Sequence, residues 1–176
     1  MSLSRAQLLT AARVKAMRDA AVAGVATLFA DIEVKSHPGK LDMSDVLKKG
    51  VFTAPSIHIA ASRIMPDGRL SASDDFTLEM TAYVVAEDVM VSGARVERDE
   101  MALAICEALL TALSDDDFAR WGLQDIGCAE EPKAAPLFTI KSFTEGAVYW
   151  AVTWKQTLYS VSTPIFGRRY EEELDI

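Results

Sequence analysis

The sequence predicts an α+β fold: a mainly antiparallel sheet with a long hairpin, and helices packed on one face. Three observations predict it. Apolar residues alternate through 54–88 and again through 147–161. Apolar residues at helical spacing fill 3–29 and 93–123. Strands follow one another in pairs instead of alternating one-for-one with helices, which favours antiparallel pairing over a parallel sheet.

Residues 3–29 suit a helix, with Leu8, Leu9, Ala12, Ala16, Ala20, Ala23 and Leu28 at three- and four-residue steps and Ser2 or Ser4 as its cap. Residues 31–39 read as a short strand ending in a turn, with Ile32 and Val34 pointing inward. Residues 41–50 read as a short helix closed by Gly50. In the hairpin, Ile57, Ile59 and Ala61 alternate with His58 and Ala60. Pro, Asp and Gly at 66–68 favour a turn. Phe76, Leu78, Met80, Ala82 and Val84 then alternate with Thr77, Glu79, Thr81, Tyr83 and Val85, a strand signal ten residues long.

In the second helical segment, Met101, Ile105, Ala108, Leu109 and Ala112 form one stripe. The acidic run 114–117 ends it. Residues 122–132 read as a connector or short strand, and 137–143 as a short β-rich piece. Residues 147–161 read as a long strand. Its period of two places Val148, Trp150, Val152 and Trp154 on one face, expected to be core. Tyr149, Ala151, Thr153 and Lys155 lie on the other, where a partner would be sought. The predicted organisation is one domain over 1–161 and an extended or loosely ordered tail over 162–176.

Composition narrows the function. The net charge of −8 disfavours nucleic-acid binding, which needs Lys and Arg to neutralise phosphates, and an anionic membrane surface as well. No apolar run reaches the ~20 residues that span a bilayer. The N-terminal segment spreads Arg5, Arg13, Lys15 and Arg18 along its length, unlike a secretory signal, so a cytoplasmic product is expected. Cys106 and Cys128 form no Cys-x-x-Cys pair and are expected as buried free thiols.

Catalytic motifs are lacking. His58 is expected as a satisfied or solvent-facing strand residue and His37 as a turn residue, and no zinc-ligand spacing occurs. Asp74–Asp75 and Asp115–Asp117 fit turn and helix-end chemistry better than a calcium loop. No Gly-x-Ser-x-Gly elbow or phosphate loop occurs. No catalytic, metal or cofactor residue is assigned, and a non-enzymatic module is expected. Arg168 and Arg169 form a small basic step in an acidic tail, a candidate contact with a neighbouring subunit.

Several stretches together resemble a family of Mu-like prophage tail proteins of the tail-terminator or tail-completion class. They are the Ala-rich N-terminal helix, "LKKGVFTAPSIHIAASRI" (47–64), "FTLEMTAYVVAED" (76–88), "RDEMALAICEALLTAL" (98–113), "WGL" (121–123) and "GAVYWAVTWKQ" (146–156). They span most of residues 5–158, and their order and spacing carry the resemblance. It implies an α+β subunit that assembles into a ring, commonly a hexamer, on the end of a phage tail tube. Such a ring stops tube polymerisation and presents a surface to head-completion proteins. The resemblance also implies a subunit made in the bacterial host cytoplasm, finally located in the virion tail, with no enzymatic activity and no cofactor. The candidate interface residues are Tyr149, Thr153, Lys155, Arg168 and Arg169. The alternatives are a head–tail connector or minor tail protein, and a small enzyme or ligand-binding module with a pocket under the sheet.

Overall fold

A computed structural model of the chain describes residues 4–41, 53–66, 75–137 and 146–159. The described helices are α1 (Arg5–Thr10), α2 (Arg13–Ala26), α3 (Arg98–Leu113) and α4 (Asp116–Ala119). The described strands are β1 (Glu33–Ser36), β2 (Ser56–Pro66), β3 (Phe76–Glu87), β4 (Val89–Val91), β5 (Ala94–Val96), β6 (Glu130–Pro136) and β7 (Ala147–Leu158). Five strands form one sheet in the order β1-β2-β3-β7-β6, parallel between β1 and β2 and antiparallel elsewhere. The fold is α+β, as the paired strands predict. β4 and β5 form a separate two-stranded sheet.

The N-terminal segment is two helices, not one. Ser4 caps α1 reciprocally: its Oγ accepts from the Gln7 N–H at 3.2 Å, and Gln7 Oε1 accepts from the Ser4 N–H at 2.8 Å. The chain breaks at Ala11–Ala12, and α2 starts without a side-chain cap. Its buried face is Met17, Ala21 and Val25, while Leu8, Leu9, Ala16 and Ala23 of the predicted stripe are exposed. Steps of four put Met17, Ala21 and Val25 on one face, and burying a Met and a Val removes more apolar area from water than burying alanines. Ile32 and Val34 pack against the core, as the alternation predicts. The helix expected over 41–50 lies almost wholly outside the described residues.

β2 and β3 are the predicted hairpin, with Ile57 opposite Val84 and Ile59 opposite Ala82. A bulge between Ala61 and Arg63 shifts the register. The hairpin tip, 67–74, lies outside the described residues.

The second helix begins later than its periodicity suggests. Residues 94–96 pair with 89–91 across Ser92 and Gly93, both at positive φ, the conformation that tight two-residue hairpins favour. α3 then starts at Arg98 and buries Ala102, Ile105, Cys106, Leu109 and Leu113. Ile105 and Leu109 match the predicted stripe, Met101 packs at its edge, and Ala108 and Ala112 sit half-exposed on the flank. Asp115 accepts from the N–H groups of Asp117 and Phe118 at 3.0 and 3.1 Å, the predicted helix-end role. α3 also places Cys106 in the core, where desolvation pushes its thiol up to about 11. Cys128 is half-buried.

Of the two pieces the sequence suggested here, the second, 137–143, lies almost wholly outside the described residues, while β6 begins within the first, 122–132, and runs past it along the edge of the sheet. Pro132 and Pro136 are tolerated there because an edge strand needs only half of its backbone groups for pairing. A bulge between Glu130 and Lys133, with Glu131 at φ 52°, shifts the register of β6 on β7.

α2, α3 and the Trp121 turn pack on one face of the sheet, over Ile57, Ile59, Leu78, Met80, Val84, Val152 and Trp154. At the centre of this layer sits one polar group, the buried amide of Gln156. Its Oε1 accepts from the indole N–H of Trp121 at 3.0 Å and of Trp154 at 2.9 Å. Its Nε2 donates to the carbonyls of Ala119 at 2.7 Å and Gly127 at 3.0 Å. All four hydrogen-bonding positions of the amide are filled. Gly24 of α2 approaches Trp121 so closely that an added Cβ would lie 2.8 Å from its ring. Glycine there is a packing requirement.

Candidate functional site

The face of the sheet opposite the helices carries the sequence's candidate interface residues. Register fixes their neighbours. Tyr149 lies opposite Val85, Ala151 opposite Tyr83, Thr153 opposite Thr81 and Lys155 opposite Glu79. On the other side of β7, Thr153 lies opposite Lys133 and Lys155 opposite Glu130. The middle of this face is tight. Ala60, Tyr83 and Ala151 form a small buried cluster packed by Leu41 and Leu137, and the Tyr83 hydroxyl accepts from the Leu41 N–H at 3.0 Å.

Toward one end the face opens into a recess of about 210 Å³. Glu79 and Thr81 from β3, Thr153 and Lys155 from β7, and Glu131 and Lys133 from β6 line it. The register shift in β6 falls between Glu130 and Lys133, on either side of the lining residue Glu131. Lys155 Nζ meets Glu131 Oε2 at 2.8 Å, and this contact raises the pKa of the ammonium and lowers that of the carboxyl. Arg63 Nη1 stands 3.6 Å from Glu79. Ser62 Oγ and Thr81 Oγ1 share a hydrogen bond of 2.5 Å.

The structure therefore gathers Thr153 and Lys155 into one recess. It places Tyr149 on the same face of the same strand, outside the recess lining. All three are half-buried. Arg168 and Arg169 lie outside the described residues. Glu79, Thr81, Glu131 and Lys133 are lining residues that the sequence reading missed. A signal existed for the first two, since the alternation over 76–86 puts them on the polar face of β3. None existed for the other two, because Pro132 between them argues against a strand.

A second polar group lies on this face, near β1. His58, predicted as a satisfied or solvent-facing strand residue, is 6% exposed, with its Nε2 2.9 Å from Ser56 Oγ. Burial lowers its pKa to about 4, and His37 and Lys35 lower it further against a smaller upward pull from Glu33. Ser56 has no exposed surface, so this serine–histidine contact presents no nucleophile to a substrate. His37 occupies the predicted turn, Nδ1 2.7 Å from the Gly39 carbonyl and its ring edge-on to Tyr83. Among the described residues, no group of three His, Cys, Asp or Glu side chains is placed to hold a metal ion.

No protein-family model and no curated protein sequence matches the chain. The recess thus has to be read on its chemistry. It offers two ammonium groups, two carboxylates and two threonine hydroxyls on a strand face. Such a set is chemically able to meet a polar surface by hydrogen bonds and swapped ion pairs.

Proposed function

We propose that the chain is a non-enzymatic phage structural subunit that caps or completes a tail tube, acting by self-association into a ring and by contact with tail-tube and head-completion proteins. The observation that carries this reading is the division of labour across β7. Trp154 and Gln156 lock one face into the core, while Tyr149, Thr153 and Lys155 keep part of the other face accessible beside an edge strand. A ring subunit needs two different accessible patches that repeat around an axis, and this face offers one of them. The order and spacing of the stretches that resemble Mu-like tail-completion proteins supply the biological class. The net charge of −8 suits a ring whose lumen passes DNA without gripping it.

The test is assembly. Size-exclusion chromatography with light scattering should show a species well above the 19.2 kDa subunit, and negative-stain images should show rings. Added tail-tube protein should be capped at its ends. A chain that remains a monomer at high concentration, both alone and with tube protein, counts against the reading. Binding to the head neck in place of tube ends would move the assignment to a head–tail connector.

A further inference from the structure

The two-stranded arm β4–β5 follows directly on the end of β3 and, among the described residues, belongs to no larger sheet. A lone hairpin is marginal in water. This one is pinned at its root by Asp88, whose carboxylate accepts from Arg95 Nη2 at 2.5 Å and from the Arg98 N–H at 3.0 Å. The pinned arm presents two large apolar side chains to solvent: Met90 is 65% exposed and Val91 45%. Its only formal charge, over 89–96, is that of Arg95.

The opposite kind of surface lies on the flank of α3. An open groove of about 610 Å³ has Leu28, Ala104, Ala108 and Phe118 on its apolar floor and Glu107 and Asp115 at its rim. This groove uses Ala108, which the sequence periodicity assigns to the core. Arm and groove thus match in character: two apolar knobs with one cation, against an apolar floor with two carboxylates. The Asp88–Arg95 pair is exposed, and such a pair exchanges partners at little cost.

Arm and groove are different surfaces at different places along α3, so their contact is either reciprocal across a two-fold axis, which closes at a dimer, or head-to-tail, which extends beyond one. The arm leads into the N-terminus of α3 at Arg98, and the groove follows the helix from Ala104 to Asp115. The ring reading requires the head-to-tail form, whose repetition closes into a ring if the rotation allows. We propose that the Met90–Val91 arm seats in the α3 groove of a second copy of this chain, and that this contact joins neighbouring subunits. The inference rests on the ring reading above and supplies one of its interfaces.

The experiment uses two full-length variants, Met90→Asp on the arm and Ala104→Arg in the groove. Both positions are solvent-exposed, so unchanged melting temperatures verify the fold. Light scattering should find wild type assembled beyond a dimer and each variant shifted to the monomer mass; a wild type that stops at a dimer overturns the head-to-tail geometry. Mixed one to one, the variants should recover a dimer, through the intact groove of the first and the intact arm of the second. A mixture that stays monomeric overturns the arm–groove contact. Assemblies retained by both variants overturn the arm–groove contact and leave the ring reading standing. Assemblies retained by Met90→Asp and lost by Ala104→Arg put a different segment in the groove, and overturn the arm's role. A wild type that never assembles overturns the ring and this interface with it.

Discussion

The two faces of β7 differ in what replacing a side chain would cost. On the helix side, Trp154 is 2% exposed and Gln156 is fully buried, each held by the other and by Trp121. On the opposite side, Thr153 and Lys155 are half-buried around a recess and meet partners through ion pairs and hydroxyls. The same twelve residues therefore bury most of one face in the core and leave part of the other, at Tyr149, Thr153 and Lys155, accessible. The contrast teaches where energy is stored: burial and satisfied polar groups hold the fold, while exposed charges leave the surface free to exchange partners.

The strongest way to break this contrast is Trp154→Ala. Removing a buried indole should cost about 3–5 kcal/mol in urea-induced unfolding. Trp150 shares the face but is half-buried, so Trp150→Ala should cost roughly half as much. Equal losses in the two variants would show that burial does not rank the tryptophans.

Gln156→Leu tests the polar centre of the same face. It preserves apolar bulk but strands two indole N–H groups and the carbonyls of Ala119 and Gly127. Leaving buried groups unpaired should destabilise by about 2–4 kcal/mol. A neutral or stabilising outcome, read by the same unfolding curves, would mean that water or a rearranged Trp121 turn replaces the amide.

A smaller effect is expected from His58. Its folded pKa, about 4, lies below the unfolded value of 6.5, so the unfolded chain binds the extra proton first. Its contribution is fully present above about pH 6.5, declines as pH falls and is gone near pH 4. At most this amounts to about 3 kcal/mol. His58→Gln should flatten the stability profile between pH 6.5 and 5, where carboxylates contribute less. An unchanged slope would locate the pH dependence elsewhere.

Particular residues show what the sequence made legible. The hairpin, β7 and the core role of Trp154 follow from a period of two, which survives in any sheet that buries one face. The face shared by Tyr149, Thr153 and Lys155 follows from the same period. Register does not, because which residue of β3 or β6 stands beside Lys155 depends on long-range pairing and on a bulge. β6 escaped because two prolines mask an edge strand. The break at Ala11–Ala12 escaped because alanine is compatible with continuing the helix. Gln156 was in plain view on the apolar face of β7, and a glutamine in that position calls for four partners. The partners came from Trp121 and two distant carbonyls, which no local pattern discloses.

Lys155→Ala is the smallest predicted change in stability and the sharpest test of the contrast. Lys155 pairs with Glu131 across the recess, with 39% and 65% of the two side chains exposed. Water and salt screen such a pair, and holding two long side chains in place opposes it. The melting temperature should therefore stay at the wild-type value. Self-association, if this face meets a neighbour, should weaken and lose part of its salt dependence, because Glu131 would be left without its cation. Measuring the assembly by light scattering at low and high salt separates the two quantities. A fall in melting temperature with assembly intact would reverse the assignment, making the recess part of what holds the fold.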